Sequence, residues 1–400
     1  MTMLEQLPML NTMSPEYQAD WHGLNRAALA QSPVAQGIFG PVLLGYREVQ
    51  TVIRDRSFRN PPALALEVQG ITDGELYDRT ISGILSLDGE EHTRLRRLVA
   101  QAFRPQAADR LRTVMGRVMT ELLDSVDDQD ELDVVRLVES YPIAVICEVL
   151  GFAREDWPLF SRLTDDLFKI FNFNLVNDGP IVLDAMHAID EYVDGVVEER
   201  RAGGVAHDDL FGDLMRAEDD GDRLSHGELQ MLVTATLTAG TDTTRNQLAA
   251  AIQVFCQHPD QWALLRVRPD LVTGAVDEVM RFEPIITGLL RTATADRVIA
   301  GLPIAAGSLV ELSSSAANRD PSVFPDADRF DITRHDAEPQ LTFGGGIHHC
   351  LGVHLAKAEL AEGLTLMSQR WPQIEQVGEA PWKPIVGVSG PTSLPISIAR

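Results

Sequence analysis

The chain has 400 residues, a formal net charge of −25 at neutral pH and an isoelectric point near 4.7. One hydrophobic core usually stops growing below this length, so either one large domain or two ordinary domains are allowed. A chain this acidic repels phosphate groups, which argues against a nucleic-acid-binding protein.

Several absences in the sequence predict a cytoplasmic protein. The N-terminus lacks the basic-then-apolar pattern of a signal peptide, and no uncharged apolar run approaches the ~20 residues of a membrane-spanning helix. The three cysteines are too widely spaced for a disulfide framework. Cys147 and Cys256 lie in apolar runs and are interpreted as buried small side chains, whereas Cys350 has a different setting.

Helical patterns dominate well beyond the usual one-third and predict one large, mainly α domain with small β-sheets over residues 1–400. Residues 1–40 are punctuated by Pro and Gly and are expected to form an irregular segment packed on that domain. Residues 58–83 read mostly as loop, and 177–180 as a loop between two helices. The predicted helices span about 47–57, 88–103, 105–126, 134–152, 156–173, 181–201, 207–217, 226–257, 269–282 and 351–369. The predicted strands lie near 41–44, 289–292, 298–299, 310–312, 385–388 and 393–398.

The longest helical pattern carries a weakened turn at its centre. Ser225 and Glu228 match a capping box at its start, and Pro259 ends it. The central sequence Ala239-Gly240-Thr241-Asp242-Thr243-Thr244 contains Gly and three Thr, all unfavourable inside a helix. An acid beside an alcohol in such a turn is what a proton-delivery relay needs, although an exposed helix turn with some Thr gives the same pattern.

A glycine-rich loop presents Cys350. The stretch Phe343-Gly344-Gly345-Gly346-Ile347-His348-His349-Cys350 leads directly into the last predicted helix. Free N–H groups before a helix stabilise a thiolate, so a lowered thiol pKa is expected. Without a second Cys nearby, a Cys-x-x-Cys metal site is excluded. The loop by itself leaves two uses open: an axial haem ligand and a catalytic nucleophile with a His base.

Two further pairs of charged or polar residues are weak evidence for a functional site when each is taken alone. Glu278 and Arg281 stand at i, i+3 on one predicted helix face, as an ordinary surface ion pair does. His92 and Arg96 stand at i, i+4 on another helix, as on many solvated faces. Together with Arg291 and His348 they form a set of donors suited to a carboxylate ligand.

These features in this order resemble the cytochrome P-450 haem-thiolate monooxygenases of the soluble bacterial type. The resemblance runs from about residue 40 to the C-terminus and rests on Phe343-x-x-Gly346-x-His348-x-Cys350-x-Gly352. It implies a cytochrome P-450 fold, haem b, O2 as co-substrate and Cys350 as the ligand of the iron. It also implies that Thr243 and Asp242 deliver protons. The implied cofactor-binding residues are His92, Arg96, Ala239, Gly240, Arg291, Phe343, Gly344, His348, Cys350 and Gly352.

The resemblance also assigns structural residues and a redox partner. Glu278 and Arg281 match a Glu-x-x-Arg pair whose third, structural partner is expected to be Arg329. Electrons are expected from NAD(P)H through an iron–sulfur ferredoxin and its reductase. A basic docking surface is expected from Arg94, Arg97, Arg104, Arg110, Arg112 and Lys357, because the chain as a whole would repel an acidic partner.

The substrate is expected to be a hydrophobic, uncharged small molecule. The segments that would line its pocket are almost entirely apolar, apart from Lys169. The implied pocket residues are Ile84, Leu85, Phe168, Phe171, Ala235, Ala239, Ile285, Ile286, Leu289 and Val388. The expected enzyme is a monomer that hydroxylates C–H bonds. A peroxide-using relative and a non-catalytic haem or ligand-binding protein are the alternatives, and the Asp242-Thr243 pair argues against both.

Overall fold

The computed structural model describes residues 7–171, 174–205, 207–219, 224–335, 338–385 and 387–399. Helices dominate these residues and three small sheets accompany them, as the sequence predicts. None of the helices in the described ranges is long and apolar enough to cross a membrane.

Seventeen α-helices are assigned in the described part of the chain. The first nine are α1 Pro15–Ala19, α2 Trp21–Leu29, α3 Tyr46–Arg54, α4 Leu64–Glu67, α5 Glu75–Ser82, α6 Gly89–Val99, α7 Pro105–Asp124, α8 Val134–Leu137 and α9 Tyr141–Leu150. The others are α10 Trp157–Phe168, α11 Leu175–Gly203, α12 Leu210–Asp219, α13 His226–Gln257, α14 Pro259–Val267, α15 Val272–Phe282, α16 Ser314–Ala317 and α17 Val353–Arg370.

Ten short strands form the sheets: β1 Val34–Gln36, β2 Pro41–Leu43, β3 Phe58–Arg59, β4 Glu131–Asp133, β5 Leu289–Ala293, β6 Arg297–Ile299, β7 Leu302–Ile304, β8 Leu309–Leu312, β9 Gln373–Gln376 and β10 Pro395–Ala399. The largest sheet has the order β1-β2-β8-β5-β3, with β2 and β8 parallel and the other pairs antiparallel. In its register Arg291 on β5 lies opposite Val310 on β8. The second sheet has the order β4-β10-β9, and β6 pairs with β7.

The hydrophobic core is mainly helical and surrounds α13. One large cluster joins the apolar faces of α7, α9, α10, α11, α13, α15 and α17. A second cluster lies under the five-stranded sheet, and a third lies between α2 and the sheet. The predicted N-terminal segment therefore forms two helices and a strand where it is described, from residue 7 onward.

Some local predictions were wrong. The predicted loop at 177–180 lies inside α11, because the apolar face of this 29-residue helix packs on both sides of Pro180 and offsets one lost hydrogen bond. The stretch 58–83 contains β3, α4 and α5. The helix predicted at 134–152 is divided into α8 and α9, and Gly151 ends α9 in the left-handed conformation, with φ 73°. Residues 385–388 form no strand in the described part; only Val388 makes an isolated bridge.

Candidate functional site

The long helix α13 has the predicted start and length. Ser225 caps it, and both hydrogen bonds of the capping box with Glu228 are present. The helix runs unbroken through the weakened turn, where the Thr243 hydroxyl donates to the Ala239 carbonyl at 2.8 Å. The distortion expected at this turn is therefore limited to the hydrogen bond from the Thr243 side chain, which competes locally with the backbone hydrogen bonds of the helix.

One face of α13 stays open near its centre. Ala239 is exposed and Thr243 is half-buried, although Leu237, Thr241 and Thr244 beside them are buried. Positions 239 and 243 are four apart and share a face of the helix. The structure thus leaves the alcohol of Thr243 partly accessible, on the same helix face as the exposed Ala239.

Gly240 has a packing reason for being glycine. A Cβ at this position would lie 2.8 Å from the Cδ1 of Ile146 on α9, closer than side-chain carbons approach one another. The absence of a side chain therefore lets α13 and α9 pack closely. Gly240 has this packing role in addition to the cofactor-binding role that the sequence resemblance implies.

Asp242 is buried in a charged network. Its side chain is 2 % exposed and accepts hydrogen bonds from Arg245 Nε at 2.8 Å and from Lys383 Nζ at 3.1 Å. Arg245 also pairs with Asp165 on α10 at 2.6 Å. Burial lowers the pKa of Arg245, but the two carboxylates outweigh burial and the net shift is upward.

The Cys350 loop takes the conformation that its glycines permit. Gly346 has φ 65°, and a Cβ there would lie 2.5 Å from the Ile53 carbonyl oxygen, so only glycine fits. Gly344 has φ 67° and faces the side chains of Leu289 and Ile53. The Cys350 N–H donates to the Phe343 carbonyl at 2.9 Å, which closes the loop at its base.

The pKa of the Cys350 thiol is raised, against the sequence expectation. Burial is the largest cause, and it outweighs the Gly352 N–H and the charge of Arg96, which both lower the pKa. The loop donors were therefore predicted correctly, but their effect on the free thiol was not. A cation bound at the sulfur would reverse this balance, because metal coordination deprotonates a thiol.

The four predicted carboxylate-binding side chains converge beside this loop. The rings of His92 and His348 have centroids 4.5 Å apart, and His348 Nε2 lies 3.3 Å from Asp88 Oδ1. Arg96 donates to the His349 carbonyl. Arg291 is 6 % exposed, and among the described residues its guanidinium has one hydrogen-bond partner, the neighbouring Leu290 carbonyl.

The electrostatics of this cluster favour a bound anion. Burial lowers the pKa of Arg291 to about 10 and that of His92 to about 4, and it also lowers the pKa of Arg96 and of His348. A buried guanidinium with most of its donors unused is costly unless a partner supplies acceptors. The two propionates of a haem would supply that charge and those acceptors beside Cys350, so the residues present fit the group that the resemblance implies.

Glu278 and Arg281 form a fully buried pair, but Arg329 is not the third side chain. Arg281 Nε donates to Glu278 Oε2 at 2.7 Å, and Arg334 Nε lies 3.2 Å from the same oxygen. The side chain of Arg329 is 66 % exposed and pairs with Asp331. Arg329 offers only its backbone carbonyl, to Arg281 at 3.1 Å. The prediction for the Arg329 side chain is therefore wrong, because a chain turn directs it outward and brings Arg334 inward.

The structure brings some of the predicted pocket residues together. Ile286 and Val388 form an antiparallel bridge beside buried Ile285. The rings of Phe168 and Phe171 have centroids 5.8 Å apart, although Phe171 is 52 % exposed. The remaining predicted pocket residues are half-buried or exposed, namely Ile84, Leu85, Ala235, Ala239 and Leu289. Phe173 and Val386, which lie in the same predicted segments, are outside the described residues.

Sequence reasoning missed Lys383, Arg334 and Asp88, and also Arg245 and Asp165 beside Asp242. Lys383 lies 141 positions from Asp242, and no local pattern links the two. Arg334 follows Arg329 by five residues. Only a comparison of the two arginines would have made Arg334 a candidate partner of Glu278. Asp88 was read as the start of a helix, whereas it also faces His348.

Comparisons with known proteins agree with this arrangement. The family model for Cytochrome P450 matches residues 68–385. The chain is 33 % identical over 394 residues to luteothin monooxygenase of Streptomyces thioluteus, covering 98 % of this chain and 96 % of that protein. It is 33 % identical over 359 residues to mycinamicin IV hydroxylase/epoxidase of Micromonospora griseorubida, covering 88 % and 87 % of the two chains.

A solved structure gives the same answer for the fold. Epothilone B-bound cytochrome P450epoK superposes with a TM-score of 0.89 at 29 % identity, covering 98 % of this chain and 100 % of that one. The match extends through the Cys350 loop, the helix α13 and the cation cluster, and the matched relatives are named as monooxygenases, hydroxylases and epoxidases. The chain therefore belongs to the cytochrome P450 family and is a haem-dependent monooxygenase that uses O2.

Proposed function

We propose that this monooxygenase hydroxylates C–H bonds of a hydrophobic, uncharged small molecule, with electrons from NAD(P)H through a ferredoxin. The observation that carries the proposal is the open face of α13, where Thr243 is accessible and Asp242 is buried next to it in the chain. An enzyme that obtains its oxygen from O2 needs delivered protons, and these two side chains provide a hydroxyl and a carboxylate for that purpose.

The haem, when bound, supplies the oxygen chemistry through its thiolate-ligated iron. Cys350 would be the ligand, and the Gly352 N–H would temper the charge on its sulfur. Arg96, Arg291, His92 and His348 would hold the propionates. The buried guanidinium of Arg291 then gains the acceptors that it otherwise lacks among the described residues.

Thr243 and Asp242 have different tasks. The Thr243 hydroxyl already donates its hydrogen to the Ala239 carbonyl, so its oxygen is free to accept or orient a further proton donor such as water. Asp242 is held in place by Arg245 and Lys383 and is the acid–base group that passes protons toward Thr243. A peroxide-using enzyme does not need this pair, so its presence favours the O2-dependent reaction.

The substrate class rests on the lining of the predicted pocket. Ile285, Ile286, Val388 and Phe168 are apolar, and burial of apolar surface favours an uncharged hydrophobic ligand. Lys169, the one basic residue of those segments, is engaged by Asp166 three residues earlier. An anchoring role for a substrate carboxylate is therefore not supported.

A spectral screen tests the substrate proposal. Luteothin, mycinamicin IV and epothilone B are the first compounds to titrate, with a hydrophobic compound library after them. Entry of a substrate beside the haem should shift the iron spin state and the Soret band. Ala239→Phe fills the open face of α13 and should weaken that shift at least ~10-fold, since about 1.4 kcal/mol corresponds to a factor of ten. A preference for charged compounds, or an unchanged response of Ala239→Phe, would contradict the proposal.

The redox partner should dock on α6 and α7. Arg97, Arg104 and Arg110 are exposed, and none of them has an ion-pair partner among the described residues. The charges of the other basic residues predicted for the docking surface are balanced by carboxylates: Arg94 pairs with Glu228, Arg112 with Glu362 and Lys357 with Asp277. The docking surface is therefore assigned to the three unpaired arginines, which would attract an acidic ferredoxin.

Reduction kinetics at several salt concentrations test the docking surface. Arg97→Glu and Arg104→Glu should slow reduction by ferredoxin and reverse its salt dependence, because repulsion replaces attraction. Arg136→Glu on α8 is the matched control, since Arg136 is also exposed. If Arg97→Glu and Arg104→Glu both keep the wild-type salt dependence, or if Arg136→Glu changes it equally, the assignment is wrong.

A further inference from the structure

Asp242 is the only carboxylate of α13's open turn, and two cations from different parts of the fold hold it. Arg245 lies one turn further along α13, whereas Lys383 comes from the tail near the C-terminus. The Lys383 ammonium lies 3.1 and 3.2 Å from the two oxygens of Asp242. The charges alternate along the chain of contacts from Asp165 through Arg245 and Asp242 to Lys383.

The backbone around Lys383 is fixed from several sides. The Lys383 N–H donates to the Gly390 carbonyl at 2.9 Å, and the Ser389 hydroxyl donates to the Lys383 carbonyl at 2.9 Å. The preceding Trp382 donates from Nε1 to Gln253 Oε1 on α13 at 2.8 Å. These bonds hold the tail against the same helix that carries Asp242, so the ammonium is positioned and not only attracted by charge.

The tail reaches α13 because Gly390 has no side chain. A Cβ at Gly390 would lie 2.7 Å from the Cβ of Asn246, and its φ of 144° is one that other residues rarely adopt. Asn246 in turn donates to the Asp242 carbonyl at 2.6 Å. The contact between Lys383 and Asp242 is therefore built into the packing of the tail on α13.

The two cations differ in chemistry and in access to water. Arg245 is 15 % exposed and never loses its proton at usable pH, so it can orient Asp242 but cannot pass protons to it. The Lys383 side chain is 33 % exposed to solvent, and a lysine ammonium can lose and regain a proton. Asp242 itself is only 2 % exposed.

We propose that Lys383 is a positioning residue for Asp242 and relays protons to it from solvent. In this step an N–H bond of the ammonium breaks, its electron pair stays on Nζ, and an O–H bond forms on an Asp242 oxygen. A hydronium ion of the solvent then gives a proton to the Nζ lone pair and becomes water, which restores the ammonium. The inference rests on the proposed role of Asp242 and names the residue through which that buried carboxylate is reprotonated.

Substitutions of Lys383 distinguish a side chain that transfers protons from one that only supplies a positive charge. Lys383→Arg keeps the cation but cannot pass a proton, and Lys383→Met removes both properties. With saturating ferredoxin and O2 as the only acceptor, NADH oxidation in both variants should fall about tenfold, less than the ~100-fold minimum for a lost acid–base group, since water replaces part of the path. Both variants should also show an altered ratio of rates in H2O and D2O. Arg268→Met is the control, because it removes an exposed cation whose carboxylate partner, Asp270, lies outside the network.

Three outcomes are distinguishable. Wild-type rates in Lys383→Arg, with a slow Lys383→Met, would reduce Lys383 to a charge and overturn the relay. A slow Asp242→Asn with a normal Lys383→Arg would do the same while leaving the proposed role of Asp242 intact. A normal Asp242→Asn would remove that role, and with it the basis of the relay.

A second measurement does not depend on turnover. The chain contains only three lysines, Lys169, Lys357 and Lys383, so side-chain 15N labelling of lysine gives a spectrum that single Lys→Met variants assign. In the reduced, CO-bound protein the Lys383 ammonium signal should shift and exchange faster with solvent in Asp242→Asn. The Lys357 signal should not change, because Lys357 pairs with Asp277. A Lys383 signal that is insensitive to Asp242→Asn would overturn the inference.

Discussion

Arg334→Ala should destabilise the protein much more than Arg329→Ala, although both arginines lie in the same turn. The Arg334 side chain is 14 % exposed and contacts Glu278, which is 3 % exposed. It also donates to the carbonyls of Pro325, Asp326 and Arg329. The Arg329 side chain has one ion pair, to Asp331, and is 66 % exposed.

The magnitude follows from what each substitution leaves behind. Removing one partner of a buried ion pair costs ~3–5 kcal/mol because the other charge stays buried. Glu278 keeps Arg281 as a partner after Arg334→Ala, so we expect a smaller cost than this range, about 2–3 kcal/mol. Arg329→Ala should cost only ~0–1 kcal/mol, as for other exposed pairs, because its carbonyl remains available to Arg281.

Thermal unfolding of the haem-loaded protein followed by circular dichroism measures the difference. With about 2.1 cal/mol/K of unfolding entropy per residue over 400 residues, roughly 0.84 kcal/mol corresponds to one degree. Arg334→Ala should therefore lower the melting temperature by about 2.4–3.6 °C, and Arg329→Ala by about 1 °C or less. Equal shifts for the two variants, or a larger one for Arg329→Ala, would refute the assignment of Arg334 to the buried network.

Three further predictions concern the cofactor loop, the proton path and a buried acid. Cys350→Ser should abolish the strongly red-shifted Soret band of the reduced, CO-bound enzyme, whereas a wild-type spectrum typical of His-ligated haem would exclude Cys350 as the ligand. Thr243→Ala should keep consuming NADH but release more peroxide and less hydroxylated product, and unchanged coupling would remove Thr243 from the mechanism. Burial raises the pKa of Glu311 from 4.5 in the unfolded chain to about 7, so the native state binds the extra proton between these values and loses stability as pH rises through that window. The difference in melting temperature between pH 5.5 and pH 7.5 should therefore be smaller for Glu311→Gln than for the wild type. The same difference in both proteins would contradict the raised pKa.

Local patterns in the sequence determined a large part of this protein. The capping box at Ser225 and the proline at 259 bound α13 correctly, because the hydrogen bonds that start a helix and the residues that stop it are close in sequence. The glycines before Cys350 predict a tight loop for the same reason, and Gly346 does adopt a positive φ. The family resemblance depends on these short-range features, and the family is confirmed.

Tertiary packing decided what local patterns leave open. Whether Arg329 or Arg334 reaches Glu278 depends on the path of an irregular segment around α15, and the raised pKa of Cys350 depends on burial by distant elements. Pro180 lies inside α11 because long-range packing outweighs a local breaker signal. Lys383 meets Asp242 across 141 positions only because the tail packs closely on α13 at Gly390, and no periodicity or spacing in the sequence encodes a contact of that range.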